Sequence, residues 1–204
     1  QESISFANFY PQFVKNTNQV AVSFISNTNN DFMGTSDSAI NLMTYEDGMW
    51  SEVSEIATVS GYIGEYETYI SNGSYKVLYN SMDISKASEN EPILSNMYMT
   101  DGIATDIINK DAKSILGLKC YDGRMFWLCD GSLYKMDCSS EAVTDLLASA
   151  ENMDGKSIGA DFRVIGNGEK TSIVWGATSE TGYSIYSALI NENKISKPLD
   201  VFQH

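Results

Sequence analysis

The sequence predicts an all-β protein in which a four-stranded antiparallel sheet is repeated four times. Three observations lead to this prediction. The chain consists of short runs rich in β-branched and aromatic residues, and stretches whose apolar residues recur with the period of an α-helix are hard to find. Asn-Gly and Asp-Gly dipeptides, which adopt the positive φ of tight hairpin turns at little steric cost, separate many of these runs. Finally, one pattern of strands and turns returns about every 50 residues.

The second strand is the clearest element of each repeat. Its apolar run reads AVSFIS, KVLYNS, RMFWLC and SIVWGA in the four repeats. The fourth position of the run is always aromatic, and successive aromatics are separated by 55, 48 and 48 residues: Phe24, Tyr79, Trp127 and Trp175. Because large rings suit a buried layer, we expect these side chains to pack between neighbouring sheets rather than to contact a ligand.

The remaining strands are placed around this run. Turns from the first to the second strand are predicted at Asn72-Gly73, Asp122-Gly123 and Asn167-Gly168, and further hairpin turns at Asp47-Gly48, Asp101-Gly102 and Asp130-Gly131. The third strands read AINLMTY, ILSNMYM, SLYKMD and YSIYSALI. The fourth strands read MWSEVSEIATV, IATDIIN, EAVTDLLASA and KISKPLDVF.

A single sheet of this kind cannot bury both of its faces. Sheets stacked face to face around an axis cover one another, which is the construction of a β-propeller. We therefore predict a single β-propeller domain over residues 1–204, with approximate blades 1–61, 62–113, 114–155 and 156–204. Two alternatives remain open, a closed four-bladed ring and a part of a larger propeller.

Two segments resemble known propellers. The stretch DGRMFWLCDGSLYKMD, residues 122–137, is similar to the short hairpins of bacterial extracellular propellers. The stretch YEDGMWSEV, residues 45–53, resembles the Asp-Gly-x-Trp turn of many propeller families and is close to the Asp-box of sialidase-like propellers. It departs from the Asp-box because only Met49 separates Gly48 from Trp50, and no other repeat matches it. The resemblance identifies a repeat style and no particular family.

Composition restricts the partners. The net charge is −14 with only 13 Lys and Arg residues, which argues against nucleic acid. The apolar runs are too short for membrane insertion. The three cysteines do not form a metal-binding pair or a disulfide framework. The abundance of Asn, Ser, Thr and Tyr resembles exported bacterial β-proteins, so we expect an extracellular or cell-surface location. Oligomeric state is left open.

The resemblance to propellers implies that a ligand site lies on the face formed by the second-to-third-strand loops. Two of these loops are long and polar, at residues 26–38 and 83–92, and long loops in compact domains are often functional. Loops also tolerate length at little cost in stability, so decoration is the alternative. The predicted binding rim consists of Asn29, Asn30, Asp31, Phe32, Asp37, Glu89 and Glu91. Calcium is a weak possibility, because the spacing of an EF-hand is missing, and no other cofactor is predicted.

The sequence contains little that indicates catalysis. The only histidine, His204, is terminal, so no Ser–His or Cys–His arrangement is expected. We therefore predict a non-catalytic binding module whose ligand is a protein or a polysaccharide. The alternatives are a glycan-active enzyme that uses paired carboxylates, which 27 acidic residues always permit, and a structural spacer without a ligand.

Overall fold

The structure is a computed structural model, and it describes residues 7–15, 20–27, 37–84, 92–146, 156–166, 170–179 and 182–203. Over these residues the secondary structure consists of strands and turns without an α-helix, which confirms the predicted all-β class. The chain divides into two compact units, Gln1–Lys113 and Ser114–His204. Within the described ranges, no helix is long and apolar enough to cross a membrane.

The first unit contains two antiparallel sheets in sequence order. The first sheet has the order β1-β2-β3-β4, and β5 pairs with β3 beyond the end of β4. Its strands are β1 (Ala7–Lys15), β2 (Val20–Asn27), β3 (Ser38–Glu46), β4 (Met49–Trp50) and β5 (Ser54–Val59). The second sheet is formed by β6 (Tyr62–Ser71), β7 (Ser74–Met82), β8 (Ser95–Thr100) and β9 (Thr105–Ala112).

One hydrophobic core joins the two sheets of the first unit. The first sheet contributes alternate residues of its inner strands, such as Ala21, Ile25 and Ile40, all at most 1% exposed. The second sheet contributes Val77 and Tyr79. Because side chains alternate between the faces of a strand, the other face of each sheet must be covered by something else or exposed.

The second unit repeats this plan. The third sheet is formed by β10 (Ile115–Tyr121), β11 (Arg124–Cys129), β12 (Ser132–Asp137) and β13 (Val143–Asp145). The fourth sheet has the order β14-β15-β16-β17, with β18 pairing with β16. Its strands are β14 (Arg163–Gly166), β15 (Thr171–Ser179), β16 (Gly182–Asn191), β17 (Lys194–Ile195) and β18 (Leu199–Gln203).

The core of the second unit lies between its two sheets. Phe126 and Leu133 from the third sheet pack with Ile173, Trp175 and Ile190 from the fourth, and all five are buried. Trp127 is fully buried on the opposite face of the third sheet, since it alternates with Phe126 along β11.

Four of the predicted hairpin turns are confirmed by their backbone. Asp47, Asn72, Asp122 and Asp130 have φ of 50°, 50°, 49° and 49°, and the glycine after each also has a positive φ. This is the conformation that two-residue hairpin loops require. The predicted turn at Asn167-Gly168 lies outside the described residues.

The prediction of a tight turn at Asp101-Gly102 is wrong. Thr100 pairs with Thr105, so four residues connect β8 to β9. The carboxylate of Asp101 accepts hydrogen bonds from the backbone N–H groups of Ile103 and Ala104, both at 2.9 Å. An Asp side chain that caps its own loop in this way stabilises a wider connection.

The predicted fourth strands are too long in three repeats. Residues 49–59 and 194–202 were expected to form single strands, but each is divided into two, β4 and β5 or β17 and β18. In the third repeat only Val143–Asp145 is a strand within residues 141–146. These segments lie at sheet edges, where a strand has one pairing partner and irregular backbone is tolerated.

The second-strand aromatics pair with tyrosines that the sequence prediction overlooked. Tyr79, Trp127 and Trp175 are at most 5% exposed, which confirms their predicted burial. Each stacks or tilts against the residue opposite on the third strand, with ring centroids 5.3 to 5.8 Å apart: Tyr98, Tyr134 and Tyr186 respectively. Phe24 differs because it is only half-buried and its cross-strand partner is Asn41.

Candidate functional site

A cleft of about 780 Å³ opens between the third and fourth sheets, at the end of the sheets that carries the Asp122-Gly123 hairpin. The turn between β16 and β17 forms part of its wall. The residues that line it include Arg124, Lys135, Thr171, Ile190, Asn193 and Lys194.

Two cations reach the cleft because they hold core-facing positions. Arg124 and Phe126 lie on the same side of β11, and Lys135 is paired directly with Phe126. Leu133, two residues before Lys135, is fully buried in the core of the second unit. The apolar layer therefore ends in an Arg and a Lys at the hairpin end of the sheets.

Lys135 is buried and anchored to the fourth sheet. It is 9% exposed, and its ammonium donates hydrogen bonds to the carbonyl of Glu192 and to Oδ1 of Asn193, the latter at 2.8 Å. Burial lowers the pKa of Lys135 below its usual value, and the positive charge of Arg124 acts in the same direction. The acidic Asp137 and Glu192 act in the opposite direction.

Arg124 is less constrained than Lys135. Its Nη1 donates to Oγ1 of Thr171 across the cleft, at a long 3.4 Å. It is half-buried and paired in register with Asp137. The Asp137 carboxylate accepts three hydrogen bonds from Ser139 and Ser140, which hold its pKa below the usual value. A guanidinium with five donors thus faces the cleft with capacity for further acceptors.

The turn that closes the cleft has an unusual backbone. Glu192 has a φ of 51°, a region that residues other than Gly, Asn and Asp seldom adopt. In this conformation its carbonyl accepts the hydrogen bond from Lys135. The contact to a buried ammonium offsets part of the cost of the strained residue.

The charge of the cleft is opposite to that of the chain. Arg124, Lys135 and Lys194 are the cations among the described residues that line it, and Glu192 is acidic. The chain as a whole has a net charge of −14. Side-chain amides and hydroxyls from Asn191, Asn193, Thr171 and Ser196 complete the polar lining. Such a surface favours an oxyanion that is attached to a polar, hydroxyl-rich ligand.

All seven residues of the binding rim predicted from the sequence belong to the first unit, Gln1–Lys113. Of its residues the structure describes Asp37, which is exposed just before β3 and accepts a 2.9 Å hydrogen bond from Oγ of Ser60. The other rim residues lie outside the described residues: Asn29, Asn30, Asp31, Phe32, Glu89 and Glu91. The rim therefore stays a prediction.

The possibility of calcium also stays a prediction. Among the described residues, no group of three or more His, Cys, Asp or Glu side chains is placed to hold a metal ion. The segment DFMGTSD that suggested calcium spans residues 31–37, and apart from Asp37 it lies outside that part of the chain. His204, the one candidate for a catalytic base, is outside it as well.

The sequence contained a signal for the cleft that the prediction did not use. In the third strand SLYKMD, Leu133 and Lys135 alternate with Tyr134 and therefore share a face. A charge at a core-facing position of an otherwise apolar pair of strands indicates either a buried partner or a ligand. The partners in the fourth sheet, a backbone carbonyl and Asn193, could not be found without the fold.

Comparison with known proteins identifies the fold. The structural alignment with the β-propeller domain of the Trilobed protease from Pyrococcus furiosus covers 95% of this chain, with a TM-score of 0.50 and 14% identity. The alignment with an α-L-arabinofuranosidase from Fusarium graminearum covers 90% of this chain, with a TM-score of 0.53 and 10% identity. On an acylaminoacyl peptidase from Pyrococcus horikoshii the values are 98%, 0.51 and 12%. The predicted β-propeller fold is thereby confirmed.

The likeness is limited to the fold. The chain spans 57%, 58% and 33% of the length of those three solved chains. No family model matches the sequence, and no curated protein matches it. At 10 to 14% identity the activities of these proteins do not transfer to this chain.

Proposed function

We propose that the chain is a non-catalytic binding module of an exported or cell-surface bacterial protein, and that its ligand is an acidic polysaccharide held in the cleft of the second unit. The observation that carries this proposal is the convergence of Arg124 and Lys135 at a polar cleft in a strongly acidic chain. Export is supported by the composition and by the resemblance to extracellular propellers.

The chemistry of the cleft favours a saccharide over a lone ion. An isolated anion would need only the cations, whereas the amides of Asn191 and Asn193 and the hydroxyl of Thr171 offer both donors and acceptors. Sugar hydroxyls use both. Ile195, which is half-buried, adds a small apolar surface for the face of a sugar ring.

A glycan-active enzyme is the second candidate, and the likeness to the arabinofuranosidase supports it. Such an enzyme needs a carboxylic acid with a raised pKa as proton donor. The pKa of Asp137, the acid that is paired in register with Arg124, is instead lowered by hydrogen bonds from Ser139 and Ser140. Release of reducing ends from a panel of polysaccharides by the purified chain would support the enzyme over the binding module.

Calorimetric titration with polygalacturonate tests the proposal. We expect saturable binding that weakens as salt is added, because the contact is charge-assisted. Arg124→Gln removes the charge and shortens the side chain, while it keeps a polar amide at the position. Loss of one hydrogen bond to a charged group should weaken binding by about tenfold to a hundredfold.

Three controls make the result specific. Lys110→Gln removes the same charge from β9, outside the residues that line the cleft and with a side chain that is 71% exposed, and should leave affinity unchanged. Neutral dextran should not bind. Poly-L-glutamate that binds as tightly as polygalacturonate would assign the cleft to an acidic protein segment, and no binding to any polyanion would favour the spacer.

A further inference from the structure

The first sheet exposes an apolar face that is independent of the cleft. Val20, Tyr45 and Trp50 are cross-strand partners, so their side chains lie on one side of the sheet. They are 47%, 40% and 46% exposed, and Phe13 on the same face is 74% exposed. We call this surface, which also carries the half-buried Phe24, the aromatic face of the first sheet.

The fourth sheet contains the same turn design. Ser51 N–H donates to the carbonyl of Thr44, and Ser196 N–H donates to that of Leu189, both at 2.8 Å. The two serine hydroxyls in turn accept from the N–H groups of Thr44 and Leu189, at 3.0 and 2.9 Å. The motif therefore aligns the two sheets residue by residue.

This alignment shows what the aromatic face is built for. The paired residues Tyr45 and Trp50 correspond to the paired residues Ile190 and Ile195 of the fourth sheet. Ile190 is buried in the core shared with the third sheet, and Ile195 packs against that core. The fourth sheet therefore uses these positions to pack on the third sheet, whereas the equivalent positions of the first sheet are exposed.

The second sheet follows the same rule. Tyr79, the equivalent of Phe24, lies in the core that the second sheet shares with the first. Trp175 lies in the core that the fourth sheet shares with the third. In both units the face with the second-strand aromatic is therefore the face that packs on the preceding sheet.

The fourth sheet exposes the complementary kind of face. On the side opposite Trp175 and Ile190 it presents Ile165, Leu189 and Phe202, which are 52%, 37% and 51% exposed. In the third sheet the face of this kind is buried under the fourth sheet. We call this surface the outer face of the fourth sheet.

We propose that the aromatic face of the first sheet in one copy of this chain docks on the outer face of the fourth sheet in a second copy. Contiguous apolar surface of this kind is rarely left open on a monomer. The two faces are of the two kinds that pack against each other between successive sheets within each unit. Because each copy carries one face of each kind, a dimer forms two identical junctions.

Sedimentation over a range of concentrations, with two complementary variants, tests this proposal. Trp50→Glu places a charge on the aromatic face, and Leu189→Lys places one on the outer face. Each variant alone should be monomeric where the unchanged chain is dimeric. An equimolar mixture of the two should regain a dimer of weaker affinity, because one junction of the pair keeps both unchanged faces.

The controls separate a lost junction from a lost fold. Ile103→Glu charges a residue that is 95% exposed in the loop between β8 and β9, off both faces, and should leave the dimer intact. If circular dichroism shows that the Trp50→Glu variant is unfolded, Phe13→Glu repeats the test of the aromatic face at a residue that is 74% exposed.

Three outcomes would overturn the proposal. The first is an unchanged chain that stays monomeric at all concentrations, which would also be the result if its two faces paired within a single copy. The second is a dimer that survives both charge variants. The third is a mixture of the two variants that does not reassociate. None of them bears on the cleft, so this proposal and the proposed function fail separately.

Discussion

The aromatic residues of the second strands differ in how completely their cross-strand partners and neighbours cover them. Trp127 is fully buried and stacks on Tyr134, with ring centroids 5.6 Å apart and planes 11° apart. Phe24, in the same position of the first repeat, is half-buried and faces Asn41, which hydrogen-bonds Oγ of Ser26. The sequence pattern predicted the aromatics, but only the coordinates distinguish the covered ring from the open one.

Trp127→Ala should lower the free energy of unfolding by about 3–5 kcal/mol, as expected for a large core truncation. Trp50→Ala is the matched control, since that ring is 46% exposed and should cost much less. Both are measured by denaturant unfolding at a concentration where the chain is monomeric. Equal losses in the two variants would contradict the assignment of Trp127 to the core.

Tyr66 should make stability depend on alkaline pH. Its hydroxyl donates to the carbonyls of Tyr10 and Ser23, and burial raises its pKa from 10.0 to about 12. Since the folded pKa is raised, the stabilisation is complete below about 10 and is lost as pH rises towards 12. Tyr66→Phe should flatten the decline of unfolding free energy across this window, and an unchanged slope would show that Tyr66 does not cause it.

At the scale of elements, turn chemistry was the most reliable guide. Asn or Asp before Gly predicted the backbone of four hairpins because only a few residues tolerate positive φ. The rule failed at Asp101, whose carboxylate caps a wider loop. It also gave no indication of Glu192, which adopts a φ of 51° without a glycine after it. Tertiary contacts override local preference at that turn.

The equivalent serines Ser51 and Ser196 test how much their turns contribute to stability. Ser51→Ala and Ser196→Ala each remove a hydroxyl that accepts a backbone N–H and donates to the next carbonyl, that of Glu52 or Lys197. Each should cost about 1 kcal/mol of unfolding free energy. Ser139→Ala is a comparison that releases only a loop contact. No change for Ser51 and Ser196 would mean that water replaces the hydroxyl.

Across the four sheets, the repeat predicted the fold class and the order of the sheets, but it did not predict the cleft of the second unit. The long loops directed attention to residues 26–38 and 83–92 of the first unit, whereas Arg124 and Lys135 converge in the second unit. A repeat shows which positions are equivalent. It does not show at which of these core-facing positions a charged or polar residue replaces an apolar one and forms a site.

The net charge of −14 gives the two proposals opposite responses to salt. Added salt screens the attraction between the cationic cleft and a polyanion, so polygalacturonate affinity should fall. The same screening reduces repulsion between two acidic copies, so dimer affinity should rise; at about 0.15 M the screening length is already ~8 Å. Titration and sedimentation across one salt series measure both trends, and parallel trends would contradict one assignment.

The three thiols differ in a way that is useful in the laboratory. Cys129 and Cys138 are buried. Burial raises the pKa of Cys129, and a hydrogen bond with the Cys120 side chain together with burial raises the pKa of Cys138, so neither supplies much thiolate near neutral pH. Cys120 is exposed on β10 of the third sheet. A maleimide dye should therefore attach at a single native position, and the wild-type chain can report ligand capture or assembly by fluorescence without an engineered handle.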